Sequence, residues 1–147
     1  MKDVSTVKNS YQDLVKAHSP KNNVVKNSWR AFWVGGTICA IGQGINNMYV
    51  YYGLNDVQTS SATTVTLIFI AAVLTALNIY DVIGNYAGAG SAIPITGFAN
   101  SMVSAAMEYK KEGYVYGMGA KLFTIAGPVI VFGVITSVIV GIIYYII

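Results

Sequence analysis

The chain has 147 residues, 54% of them apolar and only 10% charged, with 9 Lys and Arg against 6 Asp and Glu. A soluble domain carries about 25% charged residues, so an ordinary soluble fold is excluded. One Cys and one His leave no intrachain disulfide, no two-Cys metal site and no catalytic triad, so no enzyme, metal or cofactor is expected.

The expected class is an all-α integral membrane protein. It has about three transmembrane helices, a broken Gly/Pro-rich helical segment read as re-entrant, and a short basic N-terminal head. The head covers residues 1–30. It holds Lys2, Lys8, Lys16, Lys21, Lys26 and Arg30, and no Lys or Arg follows between Ala31 and Tyr109. It lacks the apolar stretch of a cleaved signal. Its charge suits anionic lipid headgroups, whereas no basic stripe interleaved with aromatics points to nucleic acid. Ser10 and Asp13 resemble a capping box, and Tyr11, Leu14, Val15 and His18 recur at helical spacing until Pro20. The pattern fits a short amphipathic helix, about 10–18, on the membrane surface; a solvated, weakly helical tail is the alternative.

The membrane domain, 31–147, begins with a span over about 31–52. Trp29, Arg30 and Trp33 mark one interface, and Tyr49, Tyr51 and Tyr52 the other. About 22 residues at roughly 1.5 Å each cover a hydrocarbon core of about 30 Å. Gln43, Asn46 and Asn47 share a helical face with Gly36 and Ala40, and such a polar stripe must face protein or water. Cys39 is expected as a small buried hydrophobe. The second span covers about 61–80. Thr64, Ile68, Ala71, Thr75 and Asn78 form a stripe on it, continued by Asp81. Thr64 and Ala71 suit helix packing, while Asn78 beside Asp81 is read as functional.

Residues 82–108 are apolar yet carry Gly84, Gly88, Gly90, Pro94 and Gly97. Irregular backbone survives at membrane depth only where protein buries it or water reaches it, so broken helices mark binding sites and conduction paths. A half-helix starting after Pro94 would aim free N–H groups at an anion. Asn85, Ser91, Thr96, Asn100, Ser101 and Ser104 add hydrogen-bonding side chains. A kinked ordinary span with packing glycines is the alternative. A nucleotide loop is discarded, because the third glycine of the dinucleotide fingerprint and the Lys-Ser/Thr pair of a P-loop are missing. With a cytoplasmic head, Lys110 and Lys111 obey the positive-inside rule only if this segment re-enters. The last apolar run covers 114–147, with Lys121 near its start and Gly127-Pro128 within it. A half-helix to about Ala126 is expected, then a span started by Pro128. Gly133, Ser137 and Gly141, four residues apart, suit close helix contact.

Three stretches carry a family resemblance: V-G-G-T-I-C-A-I-G-Q-G at 34–44, I-Y-D-V-I-G-N-Y-A-G-A-G-S-A-I-P-I-T-G-F-A-N-S-M at 79–102, and A-A-M-E-Y-K-K-E-G at 105–113. They resemble the SpoVA family of endospore-forming bacteria. The resemblance implies a subunit in the inner membrane of the forespore and spore. Such proteins help move dipicolinic acid, usually with calcium, into the forespore during sporulation, and release it during germination. The implied partners are other SpoVA subunits, among them a soluble thiolase-like dipicolinate-binding protein and a second, similar membrane subunit, in an oligomer. Dipicolinate is solute here, not cofactor.

The resemblance assigns no residue roles, so the expected path rests on physical reading. It takes Gln43, Asn46 and Asn47 from the first span, and Asn78 and Asp81 from the end of the second. It takes Asn85, Gly88, Gly90, Ser91, Pro94, Thr96, Gly97 and Asn100 from the broken segment, and Glu108 and Lys121 beyond it. Lys121 either attracts the anion or snorkels to the interface. Asp81 and Glu108 pair with Lys121, gate the path or meet calcium, although calcium wants six or more oxygens. The other functional reading is a non-conducting scaffold or gating subunit whose polar stripes bind its neighbours.

Overall fold

The computed structural model describes residues 11–15 and 23–147. The readings that rest on Ser10, His18 and Pro20 lie outside the described residues. Among the described residues every regular element is helical and no strand occurs. Residues 11–15 are helical (α1) and exposed.

Helix α2 runs Val24–Tyr51, starting upstream of Ala31 because Asn23 caps it, its side chain accepting from Lys26 N at 3.2 Å. A short loop leads to α3, Asp56–Ala76. Asn55 and Gln58 form a reciprocal capping box there, with Gln58 N donating to Asn55 Oδ1 at 2.9 Å and Asn55 N to Gln58 Oε1 at 3.2 Å. Asp56 in the first turn complements the helix dipole. The loop is tight, so α2 and α3 lie side by side. Tyr49 Oη and Thr66 Oγ1 are 2.8 Å apart, and Leu67 closes on Gly42.

The second helix stops earlier than expected. Asn78 takes a left-handed conformation (φ 57°) and turns the chain into α4, Ile79–Ala87. Asn accepts that region more readily than most residues, because its short amide can bond locally. Gly88 (φ 55°) ends α4, and the single turn α5, Ala89–Ala92, follows. Pro94, in an extended conformation, starts α6, Ile95–Glu108. A 3₁₀ turn (Tyr109–Glu112) and a π-helical turn (Tyr114–Gly119) lead into α7, Ala120–Ile146.

Helix α7 corrects one expectation. No half-helix ends at Ala126, and Pro128 lies inside α7 instead of starting it. The residue before a proline is normally held out of the helical region by a clash involving its Cβ. Gly127 has none. The missing N–H leaves one carbonyl of the preceding turn free, and the rest of the ladder continues.

Helix α3 packs chiefly on α6, and α2 on α3 and α5. The centre is small: Ala71, Tyr80 and Ala99 are buried, with Leu74 against them. Alanines at the crossing let the backbones approach closely, as helix contacts in lipid favour. Of the second-span stripe, Ala71 and Thr75 are buried, while Thr64 and Ile68 face outward. Most large apolar side chains are exposed, and α7 buries none of its residues. Two helical stretches are long and apolar enough to cross a membrane, Asp56–Ala76 and Tyr114–Ile146. Helix α2 has the length but is too polar by composition, with Gln43, Asn46 and Asn47 lowering its hydropathy.

Candidate functional site

The broken segment α4–α6 is where backbone and polar side chains must be reconciled with an apolar surrounding. Tyr80, only 4% exposed, is the hub. Its hydroxyl donates to Ser91 O at 2.9 Å and lies 2.8 Å from Thr96 Oγ1. The Gly88 carbonyl, at the start of α5, accepts from Ser91 Oγ at 3.1 Å and from the amides of Ser91 and Ala92, both at 3.2 Å. Thr75 shares its proton between Ala71 O (2.7 Å) and Asn100 Oδ1 (2.8 Å), which ties α3 to α6. A buried polar group without a partner costs about 1–3 kcal/mol, and these contacts remove that cost where the helices are interrupted.

Two glycines serve close approach. A Cβ on Gly90 would overlap the Ala31 carbonyl oxygen and stand 2.7 Å from Ala31 Cα, and a Cβ on Gly35 would meet the Gly90 oxygen at 3.2 Å. The α5 turn therefore rests backbone to backbone on α2. The Ser91 and Ala92 carbonyl oxygens press on Gly97 in the same way, so the first turn of α6 abuts protein. Ser91, Thr96 and Asn100, expected on a solute path, are engaged inside the fold.

Other expected residues line clefts. Asn78, Asp81 and Glu108 come together with Thr75, Ser104 and Met107 around about 330 Å³. Both ends of the broken segment thus meet at the end of α3. This cleft is anionic and attracts cations. Asn85 and Gly88 line a second cleft of about 430 Å³ with Asn27, Ser28, Arg30 and Tyr86. The Arg30 guanidinium carbon sits 4.6 Å from the centre of the Tyr86 ring, so this cleft is cationic. Gly90 and Pro94 border a shallow groove of about 290 Å³ with Gly35 and Cys39.

The remaining expected residues lie elsewhere. Gln43 and Asn47 bond to each other at 2.9 Å on the exposed face of α2, and Asn46 is half-buried. Lys121 lies over the Tyr109 ring, 4.5 Å from its centre. Among the described residues no ion pair joins it to Asp81 or Glu108, which corrects that expectation: the aromatic face beside it supplies the attraction instead. Cys39 is exposed, not buried, because α5 crosses α2 nearer its start and leaves Cys39 at the groove's edge. No group of three His, Cys, Asp or Glu that could hold a metal ion occurs among the described residues. Sequence reasoning missed Arg30, Asn27 and Ser28 as lining residues. The available signal was that Arg30 is the only arginine and shares a helical face with Asn27.

Apolar helices with exposed greasy surface, wrapped around a broken segment sealed by hydrogen bonds, define a helical membrane protein. The SpoVAC/SpoVAEB sporulation membrane protein family matches residues 27–143, which takes in nearly all of α2 to α7. The chain belongs to that family. It is 51% identical over 143 residues to stage V sporulation protein AC of Bacillus subtilis (strain 168), covering 97% of this chain and 95% of the relative. No solved structure matches.

Proposed function

We propose that the chain is a membrane subunit of a SpoVA assembly that moves dipicolinate, with calcium, into the forespore and releases it at germination. The observation that carries this reading is the broken segment, with a cationic cleft at Arg30 and Asn85 and an anionic cleft at Asp81 and Glu108. A dicarboxylate and a divalent cation need opposite charges along their route, and the chain presents both beside interrupted helices. The meeting of Asp81 and Glu108 supports re-entry of α4–α6. With the N-terminus cytoplasmic in the inner forespore membrane, re-entry keeps Lys110 and Lys111 on the side of Arg30, as the positive-inside rule favours. The clefts do not join into one passage within a single chain, so neighbouring subunits complete it. Those neighbours are a second, similar membrane subunit and the soluble dipicolinate-binding subunit. Residues from Gln43 to Lys121 outside the clefts support the route without lining it.

The test is the dipicolinate content of spores lacking this gene, complemented with wild type, Asp81→Asn or Asn85→Ala at equal protein level. Loss in the deletion, rescue by wild type and partial rescue by the variants support transport. Normal content in the deletion sinks the uptake reading. Loss in the deletion with full rescue by both variants favours the second reading, a scaffold or gating subunit. That reading has its own observation: the Gln43–Asn47 pair faces away from the bundle, where a partner helix could bond it.

A further inference from the structure

We infer that the cleft at Arg30, together with the apolar groove beside it, is a binding site for an anionic phospholipid. Among the described residues no carboxylate pairs with Arg30. Within those residues its partner is the Tyr86 ring. Among the described residues its N–H donors make no hydrogen bond, and their fork matches a phosphate. Asn27, Ser28 and Asn85 add donors around the same cleft. A cation in the second turn of α2, ringed by donors and with no acid paired to it among the described residues, calls for an anion from outside the chain.

The shape says which kind. Tyr86 also borders an apolar groove of about 460 Å³ between α2 and α3, floored by Ala71 and Tyr80. On α2 this groove continues through Trp33, Val34, Thr37 and Ile38 to Ile41. From Arg30 to Ile41 the helix rises about 16 Å, close to the roughly 15 Å of one leaflet's hydrocarbon. An oxyanion head at one end and a tail one leaflet deep describe a phospholipid. A free oxyanion would fill only the Arg30 end. The inference gives to lipid the Arg30 cleft that the transport reading gives to solute, so it does not rest on that reading, and the phosphate arm of the test below separates the two.

Trp29 and Trp33 are the only tryptophans, and only Trp33 borders the groove. The full chain carrying Trp29→Phe is reconstituted in phosphatidylcholine bilayers. Phosphatidylglycerol or phosphatidylcholine with brominated acyl chains is then titrated in, and Trp33 quenching is followed. The expected result is half-quenching at about a fivefold lower mole fraction of brominated phosphatidylglycerol, the preference that one basic residue gives at an anionic surface. Arg30→Gln should erase that preference, while Lys110→Gln/Lys111→Gln, outside the cleft, should keep it. Helical circular dichroism of each variant checks folding. Equal quenching by both lipids in the Arg30 protein overturns the inference, as does a preference that survives Arg30→Gln. Loss of preference in the double lysine variant would mean general surface charge and overturn it too. Millimolar inorganic phosphate should leave the quenching unchanged; displacement would mean a free-oxyanion site. No quenching by either lipid would mean that protein covers the groove.

Discussion

Gly90→Ala is the sharpest test of the crossing between α5 and α2. A Cβ there would stand 2.7 Å from both the Cα and the carbonyl carbon of Ala31, whereas carbon atoms rest at about 3.5–4.0 Å. The partners are backbone atoms on both sides, so no side chain can rotate away. The turn must retreat by about 1 Å, and overpacking of this kind costs about 1–3 kcal/mol. Gly36 is the matched control. A Cβ added there meets nothing within 4 Å, and Ala is favoured over Gly in a helix interior by about 1 kcal/mol. The two substitutions add the same Cβ, so any difference between them reports the contact with Ala31. Thermal unfolding of the purified protein in detergent, followed by helical circular dichroism, measures both. At this size each kcal/mol shifts the midpoint by about 2–4 °C, so Gly90→Ala should fall and Gly36→Ala should hold or rise. If Gly90→Ala melts with the wild type, the backbone contact with Ala31 does not exist in the folded protein.

Tyr80→Phe keeps the ring but leaves the Ser91 carbonyl and the Thr96 hydroxyl short of a partner; the same assay should show a loss of about 1–3 kcal/mol, with no change for Tyr144→Phe, whose side chain is exposed. Asn78→Val puts a β-branched residue at φ 57° and should destabilise by about 1–2 kcal/mol, whereas Asn78→Gly should be tolerated. Asn55→Ala removes the capping box of α3 and should cost about 1 kcal/mol, read as an earlier loss of helicity on heating.

What could be read from the sequence followed from rules that act locally. Apolar length marked α3 and α7, and the Gly and Pro cluster marked the breaks at Gly88 and Pro94. Roles that depend on what lies opposite were hidden. Gly90 looks like any helix breaker until Ala31 is seen against it. Asn78 drew attention as a polar residue beside Asp81, yet it also forms the left-handed turn that ends α3. Pro128 carried a stop signal that Gly127 cancels. Arg30 looked like an interface marker, because nothing in one dimension shows Asn85 and Tyr86 folding back to it from more than fifty positions away along the chain. Hydrogen-bonding side chains can be picked out in one dimension, but spacing does not say whether a hydroxyl is spent on a neighbour or left for a ligand.

That distinction decides which variants can report on transport. Ser91, Thr96 and Asn100 hold the broken segment together, and Gly90 and Gly97 let it close. Replacing any of them perturbs the fold first, so a spore that loses dipicolinate through Gly90→Val or Asn100→Ala says nothing about a path. Asp81, Asn85 and Glu108 are different. Each is exposed and borders a cleft, and among the described residues its side chain makes no hydrogen bond or ion pair. Substitution there removes charge or donors from the cleft while leaving the Tyr80 and Thr75 networks intact. Glu108→Gln should therefore keep the wild-type melting midpoint while weakening cation attraction in the acidic cleft. Reduced spore dipicolinate with an unchanged midpoint would tie that cleft to solute movement. A lowered midpoint would instead make Glu108 part of the packing between α3 and α6, and would remove it from the route.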